Sequence, residues 1–176
     1  MAILNQFYNG HTDEALVKAL QVTPEPSIFT KAACACVLFV NDMKHVHLHA
    51  SGEDFDKIHD LCQAYYDKGS EESDYLAELA MEMKEPVPNF RYAGDYVSWK
   101  SETAEAYDYA QCLNAVGLGI GSYVNFLSDL RNTTTTTEDM KSKLDDMIRE
   151  WKKELDYKIK HRMEGTEGVN SEGEKP

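Results

Sequence analysis

Apolar side chains recur at intervals of three and four residues in four long segments of this chain. That spacing places them on one face of a helix. No segment shows convincing alternation of apolar and polar residues with period two, which is the signal of a half-buried strand. The pattern therefore predicts an all-α protein built from four long helices.

The first two predicted helices run from Ser27 to His47 and from about Asp54 to Lys84, with Gly52 in the turn between them. Gly69 lies in the middle of the second helix, where a glycine costs about 1 kcal/mol relative to alanine and permits a kink. Proline ends the pattern at Pro86, because its ring cannot continue a helix. The predicted apolar stripe of the second helix comprises Phe55, Ile58, Cys62, Tyr65, Leu76, Leu79 and Met83.

The third predicted helix spans about Ser101 to Leu130, and the fourth begins at Thr137. A long aromatic-rich connection, residues 89–100, precedes the third helix, which suits a crossover between two helices that run the same way. Gly117, Gly119 and Gly121 either let a neighbouring helix approach closely or break the third helix. The predicted fold is a four-helix bundle with one long crossover between the second and third helices, the ferritin-like arrangement.

The helical pattern divides the chain into three parts. Residues 1–26 form an N-terminal segment with one short amphipathic helix, which ends at Pro24 and Pro26. Residues 27–164 form the bundle. Residues 165–176 are rich in Gly and Glu and are expected to be a disordered acidic tail.

Composition narrows the possible functions of the chain. Its 176 residues are 42% hydrophobic, enough for one packed domain. The formal net charge of −13 argues against nucleic-acid binding, which needs Lys and Arg on the phosphates. DNA binding is therefore not expected. Excess negative charge attracts cations, although it also serves to keep a protein soluble.

The cysteines and the apolar runs point to a soluble protein. The chain has four cysteines and no pair in CxxC spacing, so a zinc knuckle or a redox motif is not expected. The longest apolar run, residues 32–40, is too short to cross a bilayer. No signal peptide is visible at the N-terminus. We expect a cytoplasmic protein without a membrane association.

Two histidines and two carboxylates are the strongest candidates for chemistry. They are His47, His59, Asp74 and Glu78, spaced by twelve, fifteen and four residues. Mixed nitrogen and oxygen ligands suit Fe(II), Zn or Mn better than Ca or Mg. Asp74 and Glu78 share one helix face, where two like charges repel unless a cation or a proton compensates. Taken singly, each of these residues is more often a solvated surface group.

The same residues resemble the signature of the Dps proteins, or mini-ferritins. That family has His-Trp-Asn-Val-x-Gly-x2-Phe-x3-His where the first helix ends and the second begins, followed by Asp-x2-Ala-Glu-Arg. Here His47, Gly52, Phe55 and His59 are in register with the first motif, and the stretch from Asp74 to Glu78 is in register with the second. The resemblance is strong over residues 27–88 and only general in the last two helices.

The resemblance implies a ferroxidase that acts between subunits. Fe(II) would bind to His47 and His59 of one subunit and to Asp74 and Glu78 of its two-fold mate, as a mono-iron or di-iron site. Peroxide or dioxygen would accept the electrons, and ferric iron would collect inside a hollow homo-oligomer, a dodecamer of two-fold dimers.

The chain departs from the family motifs close to the candidate ligands. Leu48 replaces the Trp, His49 replaces the Asn, and Leu79 replaces the Arg that follows the glutamate. These changes keep the ligands but put the rate and the choice of oxidant in question. Two alternatives stay open: a ferritin-like structural or assembly protein with a non-catalytic metal site, and a zinc or manganese binder without redox activity. His45 and His49 are either surface residues or auxiliary ligands.

Overall fold

The computed structural model describes residues 27–101, 104–133 and 135–164, and within these ranges the chain is helical and forms no strand. A 3₁₀ turn (Phe90–Tyr92) lies in the crossover, and a π-helical segment (Glu154–Ile159) continues the last helix. The predicted short N-terminal helix and the predicted acidic tail lie outside the described residues. The helices are α1 (Ile28–Leu48), α2 (Phe55–Glu82), the single turn α3 (Ala93–Tyr96), α4 (Tyr109–Arg131) and α5 (Glu138–Lys153).

The four long helices form a bundle in which α1 packs along α2 and α4, and α4 packs along α5. Short connections, residues 49–54 and 132–137, join α1 to α2 and α4 to α5, whereas residues 83–108 form the long link between the two pairs. The prediction of an all-α, ferritin-like four-helix bundle with a crossover between its second and third long helices is confirmed. No helix in the described ranges is long and apolar enough to cross a membrane.

Helices α1 and α2 approach each other closely at Gly69. A Cβ atom added there would lie 2.7 Å from Cγ2 of Val40 and 3.3 Å from the ring of Phe39. The Sγ of Cys36 donates a hydrogen bond of 3.1 Å to the Gly69 carbonyl across the same contact. Helix α2 continues through this point, so Gly69 serves close packing and does not interrupt the helix.

The end of α2 caps the start of α1. Lys84 adopts a left-handed conformation with φ of 57°, and the amides of Lys84 and Glu85 bond to the carbonyls of Met81 and Ala80, which is a Schellman ending. This turn directs the Glu85 carboxylate to the backbone N–H groups of Phe29 and Thr30, at 3.0 and 3.3 Å. A carboxylate is favourable at a helix N-terminus because it satisfies unpaired amides. The Glu85 carboxylate thus replaces the side-chain cap that a residue next to the helix start would usually supply.

Helix α4 begins at Tyr109, eight residues later than the predicted start at Ser101. Asp108 and Gln111 form a capping box that fixes this start. Just before it, Tyr107 pairs with the turn after α1: its N–H donates to the His49 carbonyl and its carbonyl accepts from the Ser51 N–H, both at 2.9 Å. This backbone pairing keeps Tyr107 outside the helix.

A half-buried carboxylate ties three helices of the bundle together. Glu72 of α2 accepts hydrogen bonds from the Tyr123 hydroxyl of α4 at 2.6 Å and from the Trp151 indole N–H of α5 at 2.8 Å. Phe39 of α1 stacks on Tyr123 and meets the edge of Trp151, with ring centroids 5.7 and 5.1 Å apart. In the described residues, no buried side-chain nitrogen or oxygen lacks a hydrogen-bond partner.

We predict opposite effects for alanine at two helical glycines. Gly69→Ala forces a methyl group against the β-branched Val40 and the Phe39 ring, and overpacking of this kind outweighs the gain in helix propensity, a net loss of about 1 kcal/mol. Gly121 has no neighbouring atom within 4 Å of an added Cβ, so Gly121→Ala should raise the free energy of unfolding by up to about 1 kcal/mol. Urea denaturation followed by circular dichroism measures both, and equal stability of the two variants would contradict the packing argument.

We also predict a pH-dependent contribution from Glu72. Burial raises the pKa of this carboxyl above its ordinary value of 4.5, although the hydrogen bonds from Tyr123 and Trp151 act in the opposite direction. A raised pKa means that the folded state holds the proton more tightly than the unfolded state. The stability that this proton contributes is therefore complete below 4.5 and is lost as the pH rises through the folded pKa.

The variant Glu72→Gln has no titratable carboxyl at this position. The free energy of unfolding of the wild type, relative to that of this variant, should therefore fall as the pH rises from 4.5 to neutral. Urea unfolding at a series of pH values measures the difference. Glu71→Gln, which removes an exposed carboxyl from the neighbouring position, is the matched control. If the difference in unfolding free energy between the wild type and Glu72→Gln did not change with pH, burial would not govern the pKa of the Glu72 carboxyl.

Candidate metal site

The two predicted histidine ligands come together within one chain. His47 lies in the last turn of α1, and His59 lies in the second turn of α2, so the short turn after α1 brings the two helices side by side at this end. The imidazole centroids are 3.7 Å apart with 40° between the ring planes. Both side chains are half-buried. The structure therefore brings the two imidazole rings into contact.

A hydrogen bond determines which nitrogen of His47 is available. Its Nδ1 lies 3.2 Å from the backbone carbonyl oxygen of His59. A carbonyl oxygen only accepts, so Nδ1 carries the proton and Nε2 keeps its lone pair. Metal-binding histidines are commonly oriented in this way, by a hydrogen bond from the nitrogen that does not bind the metal. His47 is thus in a state suited to binding a cation through Nε2.

The two predicted carboxylates are elsewhere on the same helix. Asp74 and Glu78 lie in the second half of α2 and are exposed to solvent. Asp74 follows His59 by fifteen residues, which is about 22 Å along the helix at a rise of 1.5 Å per residue. Among the described residues, no group of three or more His, Cys, Asp or Glu side chains could hold a metal ion. One chain thus carries two separate half-sites, a histidine pair and a carboxylate pair.

Apolar side chains that are open to solvent flank both half-sites. Leu48 and Phe55 lie beside the histidine pair and are 75% and 44% exposed, and Met81, just beyond Glu78, is 62% exposed. Phe55 lies against His59, with ring centroids 5.4 Å apart. The expectation that Phe55 belongs to the buried stripe was wrong, because helical spacing alone does not separate a core face from a second apolar face. Exposed apolar groups next to ligand residues are typical of an interaction surface.

His45 and His49 lie on another side of α1 from His47. The Nε2 of His45 is 3.1 Å from the Ala104 carbonyl, and the Nδ1 of His49 is 2.8 Å from the His45 carbonyl, so each nitrogen donates a proton to a backbone oxygen. Their rings stack on each other at a centroid distance of 4.1 Å. In this chain they connect the end of α1 to the crossover and do not join the His47–His59 pair.

Two residues beside the histidine pair were missed by sequence reasoning. The ring edge of Tyr66 meets His47 at a centroid distance of 5.4 Å, and the Nζ of Lys44 lies 5.4 Å from the centre of the Tyr66 ring. Tyr66 follows His59 by seven residues, two helical turns, so helical spacing was the signal that could have placed it on the same face. Lys44 brings a positive charge to the Tyr66 ring.

Comparison with known proteins supports the fold and adds no match in sequence. No protein-family model matches the chain, and no curated protein sequence matches it. Dps from Staphylococcus aureus is a similar solved structure, with 16% identity over 77% of this chain and 92% of that one and a TM-score of 0.66. A Dps protein from Bacillus brevis is 17% identical over 77% of this chain and 92% of its own, with a TM-score of 0.67.

A third similar structure is Dps from Vibrio cholerae O1, described as a member of a broad superfamily of ferritin-like diiron-carboxylate proteins. It is 17% identical over 77% of this chain and 86% of its own, with a TM-score of 0.67. Identity this low supports a common fold, and the functional inference depends on the site residues themselves. The expected resemblance is confirmed at that level: the chain has the ferritin-like fold of the Dps proteins.

Proposed function

We propose that this chain is a mini-ferritin of the Dps type, which binds and oxidises Fe(II) at a site shared by two copies and stores the ferric product. The observation that carries the proposal is the arrangement of the ligands on α2. The histidine pair and the carboxylate pair are too far apart to meet in one chain. Two copies of α2 that pair in opposite directions bring His59 of one copy to the level of Asp74 and Glu78 of the other.

Antiparallel pairing also explains the exposed apolar residues. If His59 faces the middle of the Asp74–Glu78 pair, the two-fold axis passes beside the middle of α2, near Asp67. The same register puts Phe55 of one copy at the level of Met81 of the other, and sulfur–aromatic contacts are favourable. A two-fold interface buries the same patch on both copies and so creates two equivalent sites. Further contacts of such dimers would close the hollow shell, for which we propose twelve subunits.

The ligand chemistry suits iron as the substrate. Nε2 of His47 and the imidazole of His59 supply neutral nitrogen donors for Fe(II), and the two carboxylates stabilise the additional charge of Fe(III). The repulsion between Asp74 and Glu78 is relieved when a cation lies between the copies. Four protein ligands leave positions open for the oxidant and for a second iron. Two Fe(II) ions each give one electron to hydrogen peroxide, whose O–O bond breaks to give two water molecules when two protons are supplied.

The overall charge agrees with a cation as the substrate. A net charge of −13 raises the local concentration of Fe(II) around the protein and opposes binding to DNA. All four cysteines are buried free thiols in the described bundle, which is consistent with a cytoplasmic, reducing location.

We predict that two inactive variants complement each other. His59→Ala removes the histidine half-site and Asp74→Ala removes the carboxylate half-site, so each homogeneous variant should oxidise Fe(II) with peroxide no faster than buffer does. A mixed dimer keeps one intact site, formed by the histidines of one copy and the carboxylates of the other. Random exchange should then restore about a quarter of the wild-type rate, since half of the dimers are mixed and each has one good site.

Ferric absorbance after mixing with Fe(II) and peroxide measures the rate, and differently tagged copies confirm by mass spectrometry that subunits have exchanged. His49→Ala is the matched control, since its side chain bonds to the His45 carbonyl and it should keep the wild-type rate. Wild-type rates in either single variant would remove the catalytic role of these residues. A verified mixed population without recovery would refute the shared site.

A second prediction concerns the interface itself. Phe55→Glu places a charge in the apolar patch, so the variant should form smaller particles than the wild type by multi-angle light scattering. Tyr157→Glu is the matched control, because Tyr157 is also an exposed aromatic residue, 71% exposed, but lies on the π-helical segment, outside the apolar patch of Leu48, Phe55 and Met81. An unchanged mass for Phe55→Glu, or an equal loss of mass in both variants, would contradict the proposed face.

One observation favours a second function, that of a ferritin-like assembly protein with a non-catalytic metal site. Leu79 stands where the Dps motif has Arg, and it is buried in the bundle at 2% exposure, so it brings no charge to the site. In that case the wild type would bind iron or zinc in metal analysis and would form an oligomer. It would show no faster appearance of ferric absorbance than buffer alone.

A further inference from the structure

A cleft of about 550 Å³ opens between the first half of α2, the start of α4 and the helical end of the described chain. This volume falls within the range of small-molecule sites, about 300–1,000 Å³. The π-helical segment Glu154–Ile159 forms part of the wall, and π-helical turns occur frequently at functional sites. None of the proposed iron ligands lines this cleft, so the proposed function leaves it without a role.

The cleft is basic although the protein is strongly acidic. Four cationic side chains line it, against the two carboxylates of Asp60 and Glu154, in a chain with a net charge of −13. A local excess of positive charge attracts anions. The four cations are Lys57, Lys68, Lys158 and Arg162, of which Lys57 also pairs with Asp54 at 2.6 Å.

Glu154 is already occupied by its own partners. Its carboxylate lies 3.2 Å from Nζ of Lys68 and 2.8 Å from Nζ of Lys158, and the Tyr65 hydroxyl donates to it at 3.3 Å. Partial burial raises the pKa of Glu154, but the hydrogen bonds from Lys158 and Lys68 outweigh it and keep the pKa below its usual value. Arg162 has no carboxylate within ion-pair distance in the described part of the chain, so its guanidinium is available to an anion.

The other wall of the cleft is largely apolar. Tyr65 and Tyr109 line it together with Leu61 and Ala64. Tyr65 is buried and Tyr109 is half-buried, so packing holds both rings in place. Burial raises the pKa of Tyr65, which keeps its hydroxyl protonated and the wall uncharged. Aromatic rings of this kind stack on planar ligands regardless of the detailed ring chemistry.

The cleft occupies a different face of α2 from the proposed iron site. Lys57, Leu61, Ala64 and Lys68 follow each other at intervals of four, three and four residues, which is one helix face. His59 is two residues after Lys57, a rotation of about 200° at 3.6 residues per turn. Pairing of α2 with a second copy through the His59 face therefore leaves the cleft open to ligands.

We propose that this cleft binds a small anion in which a phosphate is joined to a planar ring, as in a nucleoside monophosphate. The phosphate lies against Arg162 and its neighbouring lysines, and the ring lies against the half-buried Tyr109, since Tyr65 is only 4% exposed. A phosphate is favoured over a carboxylate because several separate cations surround the space and a phosphate monoester carries a charge of about −1.5 to −2 at neutral pH. Guanidinium groups bind phosphate through charge-assisted hydrogen bonds.

Isothermal titration calorimetry on the full chain with adenosine 5′-monophosphate tests this proposal. We expect saturable binding of one molecule per chain, weakened by added salt because the contact is charged. Adenosine and inorganic phosphate, each tested alone, should bind at least about tenfold more weakly, since each supplies one half of the contact. Arg162→Gln should weaken adenosine 5′-monophosphate binding about tenfold, the effect of one charge-assisted hydrogen bond.

Lys152→Gln is the matched control, because Lys152 is an exposed cation of α5 that does not line the cleft. It should bind the nucleotide as the wild type does, and circular dichroism verifies that each variant is folded. His59→Ala should also keep the affinity, which separates this site from the proposed iron site. Absence of saturable binding, unchanged affinity in Arg162→Gln, or equal affinity for inorganic phosphate alone would each overturn the proposal.

Discussion

The close packing of α1 on α2 at Gly69 is the constraint on which the site depends. Because Gly69 has no side chain, Val40 and Phe39 approach the backbone of α2, and Cys36 bonds to its carbonyl. The two helices are then held at a fixed distance and register up to the turn that joins them. That register stacks His47 on His59 and lets Nδ1 of His47 reach the His59 carbonyl. A larger side chain at position 69 would alter both packing and ligand geometry.

The same rigidity keeps the histidine and carboxylate pairs apart. Helix α2 runs without interruption from Phe55 to Glu82, so no bend can bring Asp74 back to His59. The proposed ligand set would therefore be complete only if a second copy supplied the other pair. Placing a site between subunits couples cation binding to assembly, because each ion would neutralise carboxylates that otherwise repel.

The bundle interior has a separate role from its surface. Glu72, Tyr123 and Trp151 join α2, α4 and α5 through hydrogen bonds within the core, where such bonds favour one arrangement of the helices. In the first half of α2, the cation-lined cleft lies on a third face, next to the π-helical segment. One helix thus contributes to the core, to the proposed subunit interface and to the proposed anion site, each through residues at its own helical spacing.

Sequence patterns were sufficient for much of this structure. Apolar spacing located all four long helices, and the long link before α4 indicated the crossover, because both depend on residues close together in the chain. Residue types and intervals also identified His47, His59, Asp74 and Glu78 as candidate ligands. The structure brings the two histidines together and places the two carboxylates far from them on the same helix. Their role as metal ligands remains a prediction.

Other features were decided only by the tertiary structure, because they join residues that are distant in sequence. The start of α4 at Tyr109 depends on the pairing of Tyr107 with residues 49 and 51 in addition to its own capping box. The cap of α1 comes from Glu85, more than fifty residues later. The exposure of Phe55 and the partners of Glu72 likewise depend on which helix faces meet. Helical spacing determines which side chains share a face, and only packing determines what that face contacts.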